Sequence, residues 1–139
     1  MTEAQLVAAT GLLAFVLVLP GLVALIMTDG FGVALGNRRE VSPAPEWANR
    51  AARAQRNMVD TLIPFLAIVI GVQMAGVSNE TTQFGMAMFF GGRIAHAIVY
   101  IAGIPYLRTL AFLVSANGLV TVASQILPVA TPSMLIFGG

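Results

Sequence analysis

The chain has 139 residues, of which 58% are hydrophobic and only 9% are charged. That balance is far from the composition of a soluble domain and is typical of a membrane protein. Because the sequence contains no cysteine, this chain can supply neither a disulfide scaffold nor a thiolate ligand or nucleophile. With one histidine and a formal net charge of +1, we expect no dedicated metal site and no nucleic-acid partner.

Four segments are long and apolar enough to form helices that cross a lipid bilayer. The first is uncharged from Gln5 to Met27, and a run of that length spans a hydrocarbon core of ~30 Å at ~1.5 Å per residue. Short connections between the segments predict one antiparallel four-helix bundle in an all-α integral membrane protein, formed by a single domain over residues 1–139. The predicted helices are 3–28, 45–76, 82–103 and 107–127.

The chain has no lysine, and its arginines, apart from Arg93, lie in or beside two connections. Arg108 lies at the third connection, and the others lie in the first connection or in the first turns of the second helix: Arg38, Arg39, Arg50, Arg53 and Arg56. Loops rich in arginine remain on the cytoplasmic side of a membrane. We therefore expect the first loop to be cytoplasmic and both termini to be periplasmic or lumenal.

A polar stripe lies on the second predicted helix. Arg53, Asn57, Asp60 and Pro64 are spaced by three or four residues and therefore share one face. Arg56 precedes Asp60 by four residues, so the carboxylate has a cationic neighbour on its own helix. A charged group at this depth costs at least ~2.5 kcal/mol on insertion, so we expect each one to have a partner.

A second polar stripe, on the third predicted helix, consists of Arg93, His96 and Tyr100 and lies at the same depth. One interpretation is structural, with Asp60 paired to Arg93 or Arg56 and His96 bonded to a backbone carbonyl. The other is a pocket for an anionic ligand, because arginine offers planar donors to carboxylates and Tyr100 offers a hydroxyl at the edge. Both interpretations can hold together.

The stretches "RAARAQRNMVDTLIPF" and "GGRIAHAIVYIAGIPYLRTLAF" resemble the membrane-associated proteins in eicosanoid and glutathione metabolism, the MAPEG family. The resemblance extends over about residues 37–112, and "LGNRRE" and "PEW" are similar to loop features of bacterial members. It implies a homotrimer of four-helix subunits in a lipid bilayer, here a bacterial inner membrane. It also implies glutathione as a co-substrate, bound between neighbouring subunits on the cytoplasmic side.

The resemblance also implies roles for individual residues. Arg108, near the start of the fourth helix, would be the catalytic residue that assists the glutathione thiolate. Asp60 stands where the family usually has glutamate, and Phe112 replaces a tyrosine of one family branch. The positions implied to bind glutathione are Arg53, Asn57, Asp60, Arg93, His96 and Tyr100.

The resemblance implies a glutathione-dependent membrane transferase or peroxidase acting on lipophilic electrophiles or hydroperoxides delivered from the bilayer. A free thiol has a pKa of ~8.5, so a cationic neighbour would increase its reactive anion at neutral pH. The alternative is a noncatalytic membrane subunit that binds lipid or packs in a larger membrane complex. In that case the charged stripes would join helices, since family membership alone does not make an enzyme.

Overall fold

The structure is a computed structural model that describes residues 1–36 and 42–128. These residues contain five α-helices and no strand, and α1 and α2 together make one apolar segment of 33 residues. Four segments are thus long and apolar enough to cross a membrane. This confirms the predicted all-α four-helix membrane bundle. The helices are α1 (Glu3–Val16), α2 (Leu19–Leu35), α3 (Glu46–Met74), α4 (Glu80–Ala102) and α5 (Pro105–Ala123).

The first predicted helix, 3–28, is wrong at two points. It is interrupted after Val16, because Pro20 has no N–H to donate to the Val16 carbonyl and its ring crowds that carbonyl. The apolar segment also continues to Leu35, past Gly30, which has a φ of +84°. Glycine adopts this left-handed conformation without a steric penalty, so the chain bends there and the helix resumes.

The other three helices agree with the prediction to within four residues at each end. α4 begins with a capping box, in which the Asn79 side chain accepts from the Thr82 N–H and the Thr82 hydroxyl accepts from the Asn79 N–H, both at 2.9 Å. It ends at Gly103, whose φ of +81° turns the chain into α5. Pro105 occupies the first turn of α5, where a missing N–H is harmless.

α4 and α5 pack backbone against backbone and form what we call the α4–α5 hairpin. A Cβ added at Gly118 would lie 2.5 Å from the Gly85 carbonyl oxygen and 2.6 Å from the Phe89 nitrogen. A Cβ added at Gly92 would lie 2.7 Å from the Ser115 nitrogen. Small residues permit this close approach between membrane helices, so the hairpin is a rigid support for the polar residues of α4.

α3 joins the hairpin through an apolar core. The rings of Phe65 and Phe89 stack with centroids 4.2 Å apart and an angle of 5° between their planes. Both rings are fully buried, and Leu6 of α1 belongs to the same cluster. These contacts hold α3 beside α4 in a fixed register, which sets the depth at which their polar residues meet.

Candidate functional site

The candidate site is centred on Arg93, whose side chain is only 1% exposed. Its Nη2 donates to Asn57 Oδ1 at 2.7 Å and lies 3.3 Å from His96 Nδ1. The first contact joins α4 to α3, and the second links neighbouring turns of α4. The polar stripes of the two helices therefore meet at one depth, as their spacing predicted.

Two of the three guanidinium nitrogens of Arg93 have no partner among the described residues. Nε and Nη1 are buried and make no hydrogen bond with residues 1–36 or 42–128. Within the same residues the single ion pair joins Arg53 to Glu46 and leaves Arg93 without a carboxylate. Because a buried, uncompensated charge costs several kcal/mol (~3–5 when a partner is lost), these two nitrogens are a candidate site for an anion.

The structural pairings predicted for Asp60 and His96 are wrong. Asp60 is exposed on the outer face of α3 and makes no hydrogen bond or ion pair with Arg93, with Arg56 or with any other described residue. Three residues of helix rotate the side chain by ~300°, so Asp60 is turned ~60° away from the direction in which Asn57 meets α4. His96 contacts the Arg93 guanidinium instead of a backbone carbonyl.

Aromatic rings extend the site towards the turn between α4 and α5. The His96 ring lies 5.3 Å from the Tyr100 ring and 6.4 Å from the Phe112 ring, measured between centroids. The Arg108 guanidinium lies over the Tyr100 ring, 4.9 Å from its centroid. The tight turn at Gly103 thus brings an arginine of α5 beside the polar stripe of α4. Arg108 is exposed, so it can reach a ligand or water.

Arg53 lies near the exposed start of α3, where it pairs with Glu46 at 3.2 Å and also interacts with the Tyr100 side chain of α4. The sequence did not predict the contact that Arg50 makes with α4. Its Nε donates to the Ile101 carbonyl at 2.8 Å. The last carbonyls of a helix have no partner within it, and a basic side chain can satisfy them. Arg50 precedes Arg53 and Asn57 by three and seven residues, so extending the α3 stripe by one turn would have found it.

The structure thus brings six of the predicted site residues together and leaves one apart. Asp60 alone is turned away, on the exposed face of α3, while Arg38 and Arg39, the first basic residues of the predicted cytoplasmic loop, lie outside the described residues. The residues brought together are Arg53, Asn57, Arg93, His96, Tyr100 and Arg108.

Fold and site define an integral membrane protein with a buried arginine in a polar cluster between its helices. Residues 6–127 match the model of the MAPEG family, and the chain belongs to that family.

The chain is similar to microsomal glutathione S-transferase 1 of Rattus norvegicus and of Mus musculus, at 30% identity over 99 residues. That match covers 70% of this chain and 63% of each relative. The Homo sapiens protein of the same name is 28% identical over 92 residues, covering 66% of this chain and 59% of the relative. The match thus spans less than two thirds of each relative's length.

Proposed function

We propose that this protein is a glutathione-dependent membrane transferase or peroxidase that acts on lipophilic electrophiles or hydroperoxides. The observation that carries this proposal is the buried Arg93 side chain, with two nitrogens that no described residue satisfies. Glutathione carries two carboxylates, and guanidinium N–H groups donate strong, charge-assisted hydrogen bonds to carboxylate oxygens. The relatives named glutathione S-transferases support this choice of anion.

The proposed chemistry assigns separate roles to the two arginines. Arg93 binds a glutathione carboxylate, with its guanidinium oriented by Asn57 and His96. Arg108 is exposed, and its positive field next to the thiol lowers the thiol pKa from ~8.5 and increases the thiolate fraction. The thiolate sulfur then bonds to the electrophilic carbon as the leaving group departs with its electron pair. With a hydroperoxide, the sulfur instead attacks the terminal peroxide oxygen and becomes a sulfenic acid, while the other oxygen takes up a proton and leaves as an alcohol. A second glutathione thiol then reacts with the sulfenic acid to give glutathione disulfide and water.

We further infer that the active form is a homotrimer with glutathione bound between subunits on the cytoplasmic side. Asp60 lies midway along α3, ~21 Å from either end at ~1.5 Å per residue, and is exposed in the isolated chain. A carboxylate facing lipid at this depth costs at least ~2.5 kcal/mol. Ile63 and Ile70 on the same helix are 68% and 55% exposed and offer apolar contacts. A second copy on this face would make Arg53 and Asp60 part of a shared site.

The test measures glutathione binding, conjugation rate and the number of chains in the complex, all with protein in mild detergent. Glutathione should raise the melting temperature, native mass spectrometry should detect three chains, and a generic aryl halide should be conjugated. Replacing glutathione by its analogue with alanine at the cysteine position is the control. The analogue should stabilise the protein equally and form no conjugate. A stable monomer, or the absence of both binding and turnover, would contradict the proposal.

A noncatalytic membrane subunit is the second candidate, and one observation favours it. The hydrogen bonds from Arg93 to Asn57 and from Arg50 to the Ile101 carbonyl each join α3 to α4 within one chain. Arginines used in this way stabilise a bundle without any ligand. This candidate predicts that loss of Arg93 unfolds the protein and that glutathione has no effect on its stability.

A further inference from the structure

A cavity lies between α1 and α3 at the end of the bundle opposite Arg108. Its volume is about 830 Å³, within the range of small-molecule sites. Its apolar lining comes from Ala4, Val7 and Ala8 of α1 and from Val69 of α3. The arginines of the candidate site do not line it, so it is a separate feature of the molecule.

The rim of this cavity carries a carboxylate that is held in place by hydrogen bonds. Gln73 Nε2 and Ser78 Oγ each donate to Glu3 Oε2 at 2.9 Å, and the Thr82 hydroxyl donates to Glu3 Oε1. A carboxylate has about four acceptor positions, so Glu3 retains one. No described cation pairs with Glu3, and none of the described arginines lines this cavity.

The rim also presents unsatisfied acceptors beside the Glu3 carboxylate. One N–H of the Gln73 amide donates to Glu3, and one N–H of the Gln83 amide donates to the Met1 carbonyl. The amide oxygens of both glutamines accept no hydrogen bond from residues 1–36 or 42–128. An ammonium group has three donors and a positive charge, so it complements the carboxylate and these two oxygens. An anionic headgroup would be repelled by the Glu3 carboxylate.

We propose that this cavity binds an amphiphile with a primary ammonium headgroup. The ammonium lies against Glu3 and the two glutamine oxygens, and the apolar chain lies along Ala8 and Val69 between α1 and α3. Both a membrane lipid with an amine headgroup and a lipophilic amine from outside the cell carry this chemistry. The proposal does not depend on the proposed glutathione chemistry, because the two sites share no residue.

The test measures binding of dodecylammonium to the full chain in a neutral detergent by its effect on the melting temperature. Glu3→Gln keeps the shape of the side chain and removes its charge, and we expect binding to weaken at least about tenfold, as expected for a charge-assisted hydrogen bond. Glu80→Gln is the matched control. It removes the same charge at the same end of the bundle, does not line the cavity, and should leave binding unchanged.

A filling variant tests the cavity itself. Ala8 is exposed, so Ala8→Phe places a ring in the cavity without displacing the core and should reduce dodecylammonium binding while the ligand-free melting temperature is kept. If native mass spectra show that the protein retains phosphatidylethanolamine in preference to phosphatidylglycerol, the natural ligand is a membrane lipid with an amine headgroup. If neither lipid is preferred, the natural ligand is a lipophilic amine from outside the cell. Equal weakening by Glu3→Gln and Glu80→Gln, or equally tight binding of dodecyl sulfate, would overturn the proposal.

Discussion

Replacing Arg93 with methionine should separate ligand binding from folding. The variant loses the hydrogen bond to Asn57 Oδ1, and an acceptor left unsatisfied costs ~1–3 kcal/mol. It also removes a buried guanidinium that lacks a counterion, and apolar replacement of buried charges is often neutral or stabilising by ~1–4 kcal/mol. The two effects have opposite signs, so the ligand-free stability should change by no more than ~3 kcal/mol in either direction.

Glutathione binding should respond far more strongly. Two hydrogen bonds to a carboxylate contribute ~3 kcal/mol at the lower end of the range for charged groups, which corresponds to ~150-fold in affinity. Glutathione at a hundred times its Kd stabilises the wild type by ~2.7 kcal/mol. At the same concentration a ~150-fold weaker variant would be stabilised by only ~0.3 kcal/mol.

The assay is thermal unfolding in neutral detergent, with and without one fixed concentration of glutathione. Arg93→Lys serves as the intermediate case, because lysine keeps the charge but cannot offer two parallel donors. Equal glutathione stabilisation of wild type and Arg93→Met would refute the assignment of the ligand to Arg93. A loss of more than ~4 kcal/mol in Arg93→Met without glutathione would instead show that the bond to Asn57 serves the fold.

Three further predictions address the catalytic arginine, the helix packing and the topology. Arg108→Ala should lower the conjugation rate with little change in glutathione affinity or melting temperature, because an exposed cation–π contact contributes only ~0.5–1 kcal/mol. An equally large loss of glutathione affinity would show that Arg108 binds glutathione instead. Gly118→Leu should destabilise the protein by at least ~1–3 kcal/mol, whereas Gly91→Leu should melt like wild type, because a Cβ at Gly91 meets nothing within 4 Å. Since the chain has no cysteine, an impermeant thiol reagent should label Ala44→Cys only from the cytoplasmic side and Thr81→Cys only from the other side, and reversed labelling would overturn the orientation.

The parts of the site that follow helical periodicity could be predicted from the sequence. Arg93 and His96 share a face of α4, and Asn57 lies on the polar face of α3, so their meeting required only that the two helices be neighbours. Asp60 could not be placed in this way. It shares the stripe with Asn57, but only the position of α4 decides which part of that stripe is buried.

Two other features depend on tertiary packing that one sequence does not display. Gly30 looks like the end of a helix, yet the helix resumes beyond it because the following residues are apolar and contain no proline. Gly85 and Gly118 lie 33 residues apart in sequence, and their close contact appears only when α4 and α5 are paired. The sequence shows where these glycines are, but the residue against which each one packs is fixed only in the folded chain.

The close pairing of α4 and α5 has a consequence for how the protein enters its membrane. Only Gly103 and Ile104 connect the two helices, so one cannot cross the bilayer far from the other. The amide of Asn117 lies 3.9 Å from the sulfur of Met88 on α4, and Ser115 is buried against Gly92. A solitary α5 would expose these polar groups to lipid, and pairing removes them from it. Biogenesis therefore favours insertion of the last two spans as one preassembled hairpin, which carries Arg108 into place beside Tyr100 before any ligand arrives.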